Sequence, residues 1–151
     1  MSAYLQELTI RLAAAMGNVP GEIRQNHANW VWSKQQGDGG WGGREGTSDP
    51  YYTSFAPRTL AITGELYGER AEQAAAFLRS RLDKQETVVD LAALIYAASM
   101  LENAAGVDVF DAAGRMWKDS VAAFFETLRR EDGGYAKSAT SNVGSTYNSF
   151  L

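Results

Sequence analysis

Two short blocks of this chain are near copies of one another, and that repetition restricts the fold more than any other feature. Gln36-Gly37-Asp38-Gly39-Gly40-Trp41 returns as Arg130-Glu131-Asp132-Gly133-Gly134-Tyr135, displaced by 94 residues from Asp38 to Asp132. Downstream, Tyr52-Thr53-Ser54-Phe55 is echoed by Tyr147-Asn148-Ser149-Phe150 at a displacement of 95. Half of that period aligns Trp30 with Phe77, so a middle unit without the glycine block lies between the two. Periods of about 30 to 50 residues made of paired helices belong to solenoids or closed rings of hairpins. One hairpin cannot bury its own apolar face and must stack on the next.

Helical periodicity fills the chain around these blocks. Residues 3–16 put Leu5, Leu8, Leu12 and Met16 on one face. Pro20 opens a second helix to about Gln35, on which Ile23, His27, Trp30 and Lys34 form one stripe near an aromatic-rich face. The glycines between Gly37 and Asp49 break the pattern, because their backbone entropy opposes a helix. A third helix is predicted over about 51–66, with Ser48 or Asp49 as N-cap and Pro50 in its first turn. Gly68 precedes a fourth carrying Ala74, Phe77, Leu78 and Leu82; a fifth spans about 87–103. The sixth is predicted over about 109–130, with Met116, Trp117, Val121, Phe124, Phe125 and Leu128. No segment alternates as a strand does. The expected class is all-α: a helix over 1–19, then hairpin units at about 21–68, 69–116 and an incomplete 117–151.

Composition narrows the partners. A net charge of −4 and the absence of a basic stripe argue against nucleic acid. No run of 18 apolar residues and no signal-peptide pattern occur, so a single soluble, cytoplasmic unit without a transmembrane segment is expected. Without cysteine, and with His27 as the sole histidine, no disulfide, thiolate nucleophile, metal site or cofactor is expected. Arg79, Arg81, Asp83, Lys84 and Glu86 read as a solvated helix end.

Gln35-Gln36-Gly37-Asp38-Gly39-Gly40-Trp41-Gly42-Gly43-Arg44, followed by Asp49-Pro50-Tyr51-Tyr52-Thr53-Ser54-Phe55-Ala56, resembles the repeat of prenyltransferase β-subunits and squalene-hopene cyclases. Asp132-Gly133-Gly134-Tyr135-Ala136, with Ser145-Thr146-Tyr147-Asn148-Ser149-Phe150, carries the signature more weakly. The resemblance implies an α–α toroid, an inner ring of parallel helices wrapped by an outer ring, of which this chain supplies about half. Helices at about 51–66, 87–103 and from 145 would be inner, and those before the loops outer. The residues themselves make Asp38, Gly39, Gly40, Trp41 and Asp132, Gly133, Gly134, Tyr135 structural loops. Glycine permits the left-handed turn, aspartate accepts amide hydrogens, and the aromatic ring covers the hairpin.

The resemblance also implies chemistries that can be compared residue by residue. Protein prenyltransferases hold zinc through an aspartate, a cysteine and a histidine. Here Asp49-Pro50-Tyr51-Tyr52-Thr53 places Tyr51 where the cysteine would be. A phenol with an ordinary pKa of about 10 is a poor zinc ligand, so Asp49 is expected to cap a helix instead. Neither the Asp-x-Asp-Asp acid of the cyclases nor an Asp-Asp-x-x-Asp magnesium motif occurs. What the resemblance leaves is an aromatic cavity built from Tyr51, Tyr52, Phe55, Arg58 and Tyr147, with Tyr96 and Phe150 nearby. Its rings would pack an isoprenoid chain while Arg58 meets the diphosphate. The alternative is a non-catalytic helical scaffold for protein association, its aromatics merely packed between helices and His27 a surface or packed residue.

The sequence ends at Ser149-Phe150-Leu151 just after a helix has begun, without glycine or polar residues to satisfy its last carbonyls. Truncation is the expected reason. Self-association, or a partner supplying the other helices, would equally cover the open edges of a half ring. On the scaffold reading, a charge placed at Phe150 abolishes association while leaving helix content intact. Light scattering and circular dichroism check this, and an unchanged oligomeric state counts against it.

Overall fold

In the computed structural model, residues 3–82, 84, 87–111, 114 and 117–150 are described. Among them seven helices follow in order: α1 (Ala3–Met16), α2 (Gly21–Ser33), α3 (Pro50–Thr63), α4 (Glu69–Arg79), α5 (Val88–Ala105), α6 (Trp117–Leu128) and α7 (Thr146–Phe150). Among the described residues the only strand-like pairings are isolated bridges of Arg129 and Ser145 with Tyr135. The class is all-α.

Local chemistry sets the ends of the two central helices. Asp49 is extended, and its carboxylate accepts the Tyr52 amide at 2.8 Å. Pro50 then fills the first turn, where a missing N–H removes no helical bond. Thr87 starts α5 in the same way, its hydroxyl accepting the Asp90 amide at 3.2 Å. Gly64 and Gly106 close these helices with φ of 78° and 71°, a left-handed backbone that glycine adopts without strain.

Helix α3 packs against α1, α2, α4 and, most extensively, α5, while α4 also covers α5. Counted from their caps Asp49 and Thr87, the two central helices exchange side-chain sizes at equivalent buried positions. Ala56 corresponds to Leu94, and Leu60 to Ala98. Large and small side chains at equivalent positions let two helices pack closely. On α4, Ala71, Ala74 and Ala75 are fully buried beside Phe77 and Leu78, so its backbone comes close to its neighbours. Helix α5 is, among the described residues, the one helix long and apolar enough to cross a membrane. Here Leu94, Ala97 and Leu101 are wholly enclosed by protein.

Two expectations are corrected. The sixth helix does not reach back to residue 109: after the Gly106 cap, the Asp108 carboxylate takes the Phe110 amide at 2.7 Å, and Val109 is buried in a non-helical segment. Met116, Asp83 and Glu86, named above, lie outside the described residues. The stripe of Ile23, His27, Trp30 and Lys34 faces solvent, with Trp30 64% exposed. The buried side of α2 is Ala28, Val31 and Trp32, because Trp32 packs on Trp41 with ring centroids 5.8 Å apart. Apolar periodicity located the helix, while the glycine loop fixed its rotation.

Leu60 is fully buried where the central helix meets its neighbours. Leu60→Ala is expected to cost about 2–5 kcal/mol, read by chemical unfolding.

Candidate functional site

The glycine blocks build two turns with the same hydrogen bonds. The Asp38 carboxylate accepts the Gly40 amide at 3.1 Å, and Asp132 accepts that of Gly134 at 2.9 Å. The Gln36 amide donates to the Gly40 carbonyl at 2.8 Å; Arg130 donates to Gly134 at 2.9 Å. The Trp41 amide donates to the Thr53 hydroxyl at 3.0 Å, and the Tyr135 amide to the Ser149 hydroxyl at 2.9 Å. The second carboxylate contact also recurs: Ser48 donates its hydroxyl to Asp38 at 2.7 Å, and Gly144 its amide to Asp132 at 3.1 Å. Gly39 and Gly133 both have left-handed φ, 89° and 81°. The Trp41 ring is buried, and its indole N–H donates to the Val31 carbonyl at 2.9 Å.

These bonds set the register of the second copy. Thr53 and Ser149 play one role, as do Asp49 and Ser145, so the helix starts correspond at a displacement of 96. The sequence match at 95 is therefore one residue out. Tyr51 and Tyr52 are adjacent, so Tyr147 can be set against either, and the coincidence of Ser54 and Phe55 with Ser149 and Phe150 favoured the wrong one. In the corrected register Tyr147 of α7 is the counterpart of Tyr51 in α3.

That equivalence defines the candidate site, a cleft of about 260 Å³ between α1, α3, α5 and α7. Helix α3 contributes Tyr51, Ser54, Phe55 and Arg58, and α5 contributes Val89, Ala92, Ala93 and Tyr96. Counted from Asp49 and from Thr87, both sets are the second, fifth, sixth and ninth residues. Spacings of three, one and three trace one face of a helix. Tyr147 adds the second residue after Ser145, and Leu5 of α1 closes one side. Three helices thus present one register face to a common space.

The cleft is apolar with a single charge. The Arg58 guanidinium lies 5.8 Å from the centre of the Tyr96 ring, and no lining residue is acidic. Among the described residues, both ion pairs are remote from it: Arg11 with Glu7, and Arg129 with Glu126. Tyr96 is buried, its hydroxyl 2.9 Å from that of Thr9. Tyr51 meets the Phe55 ring edge-on, with centroids 5.2 Å apart. Away from this space, a hydrogen bond to Glu65 and the charge of that carboxylate raise the pKa of the Tyr67 hydroxyl. Among the described residues, no three His, Asp or Glu side chains come together as metal ligands.

Of the residues singled out from sequence, Tyr51, Phe55, Arg58 and Tyr147 line this cleft, together with Tyr96. Tyr52 does not: one residue further on, it turns about 100° around the helix. It lines a neighbouring hollow with Trp30, Lys34 and Trp41. Phe150 is 63% exposed and lies outside the cleft. His27 is exposed on α2. Sequence reasoning missed Val89, Ala92 and Ala93, which carry no chemistry of their own. Counting from the Thr87 cap would have found them. Comparison with protein families, curated proteins and solved structures gave no match.

The loop generates a matched pair of substitutions. A Cβ on Gly39 would lie 2.1 Å from the Gln73 carbonyl oxygen at a left-handed φ, whereas nothing lies within 4 Å of one on Gly37. Gly39→Ala is expected to lose more than about 1 kcal/mol of stability, and Gly37→Ala to stay within about 0.5 kcal/mol, by denaturant titration.

Proposed function

We propose that the cleft binds an isoprenoid chain whose anionic diphosphate is met by Arg58, within a partial α–α toroid of the prenyltransferase and squalene-cyclase kind. The observation that carries this reading is the convergence of equivalent faces of α3, α5 and α7 on an apolar space with one cation and no carboxylate. An apolar ligand gains by leaving water, and aromatic walls add contact area at little entropic cost. A guanidinium whose nearest described partner is a tyrosine ring is open to an anion, and its planar donors match phosphate oxygens. Ala92 and Ala93 on α5 line the cleft with Phe55 of α3, and their small side chains take little of its space. The hallmark zinc cysteine and the Asp-x-Asp-Asp acid are both missing from the sequence, so the proposal is one of binding.

The test is calorimetric titration with a fifteen-carbon isoprenoid diphosphate and with the corresponding alcohol. Saturable binding of the diphosphate is expected, weaker binding of the alcohol, and a loss of about ten- to a hundredfold in Arg58→Gln. Tyr52→Ala, outside the cleft, is expected to bind nearly as the parent does. No saturable binding by monodisperse protein, or equal binding by Arg58→Gln, would sink the proposal.

A further inference from the structure

A second cleft lies further along the same two helices. It measures about 450 Å³ and is lined by Ala61 of α3, by Met100, Asn103 and Ala104 of α5, and by α1. Counted from the caps, these are the twelfth residue of α3 and the thirteenth, sixteenth and seventeenth of α5. They continue the stripe that begins at the second, fifth, sixth and ninth positions. Between the two clefts stands Thr9, whose hydroxyl meets that of Tyr96, the ninth residue of α5. Leu5 lines the first cleft, while Gln6, Thr9, Ile10 and Ala13 line the second, which thus lies mostly further along α1. Helix α1 therefore runs along the stripe in the same sense as α3 and α5.

We infer that the two clefts are one groove, occupied in part by α1, and that a long apolar chain binds by displacing this helix. The identity of the chain rests on the function proposed above; the occupancy by α1 does not. With α1 seated, the first cleft is smaller than the roughly 300–1,000 Å³ of small-molecule sites. The second lies within that range but has no charged residue, so only the two joined offer both the length for a chain and the cation for its head. Helix α1 is lightly held. Thr9 is its one buried residue among those with described burial, whereas α5 buries eight. Ile10 and Leu12 stay 68% and 40% exposed. Few buried contacts put a segment at the low end of local stability. Its link to α2 is the four residues 17–20, of which Gly17, Asn18 and Pro20 are exposed, so moving α1 needs no unfolding of α2.

A ligand that must displace α1 binds with an affinity reduced by the fraction of molecules in which α1 is already open. Weakening the α1 anchor should therefore strengthen ligand binding, the reverse of what damage to a binding wall does. Thr9→Val removes the hydroxyl pair at nearly constant volume, so its effect separates the two.

The experiment is amide hydrogen exchange on the full chain, alone and with five-carbon or twenty-carbon isoprenoid diphosphates. Without ligand, α1 amides are expected to exchange at least about a hundredfold faster than those of α3 and α5. Thr9→Val should speed α1 about tenfold more, leave α3 and α5 unchanged, and tighten binding of the twenty-carbon probe. That probe should speed α1 exchange, and the five-carbon one should leave it unchanged. Protection of α1 equal to that of α3 and α5, or binding of the long probe with α1 further protected, overturns the inference alone. A freely opening α1 with neither probe bound overturns the isoprenoid reading, and displacement by such a chain with it.

Discussion

One hydroxyl ties each glycine loop to the helix that follows it, and in the first loop that hydroxyl is buried. Thr53 is fully buried; it accepts the Trp41 amide at 3.0 Å and donates to the Trp41 carbonyl at 3.2 Å. Trp41 cannot move without leaving both of its backbone groups unpaired in a dry interior, at about 1–3 kcal/mol for each. Its indole is fixed in turn to the last turn of α2 through Val31. The angle between α2 and α3, and hence the face that α3 turns to α5, follows from this small set of bonds. Gln35 extends the set by donating to the Gly39 and Arg70 carbonyls, each at 2.9 Å, which anchors the start of α4 to the same loop.

Ser149 repeats the bond to the Tyr135 amide, but around it the second loop is more open. Trp41 is 5% exposed, whereas Tyr135 is only half-buried. Arg130 compensates by donating to the carbonyls of Thr127, Ser138, Ala139 and Ser141, so a single guanidinium organises a segment that lacks an apolar plug. The hydrogen-bond plan is thus more durable between the copies than the packing laid over it. That difference explains why the sequence match between them is confined to aspartate, glycine and one aromatic.

Helices, caps and loop type were legible because each depends on a few adjacent residues. Asp49-Pro50 announces a helix start whatever surrounds it, whereas the third helix, expected to run to about 66, stops earlier at its Gly64 cap. Tyr51, Phe55, Arg58 and Tyr147 could be chosen because aromatics and a cation near helix starts have few local uses. The rotation of α2 was not legible, since Trp30 and Trp32 are equally apolar and only contact with Trp41 decides between them. Nor was the place of α1, whose helical period specifies a face but not the helices that receive it. The alanines of the cleft are silent in sequence because their contribution is absent volume.

Scaffold and wall occupy different positions of the same helices. Cap, fourth, seventh and eleventh residues of α3 (Asp49, Thr53, Ala56 and Leu60) hold the loop and the core, and the second, fifth, sixth and ninth face the cleft. The cleft lining is a mosaic most of whose tiles stand apart from the frame, with Tyr96 of α5, packed in the core and paired with Thr9, belonging to both. Its chemistry is set by which tile each helix carries.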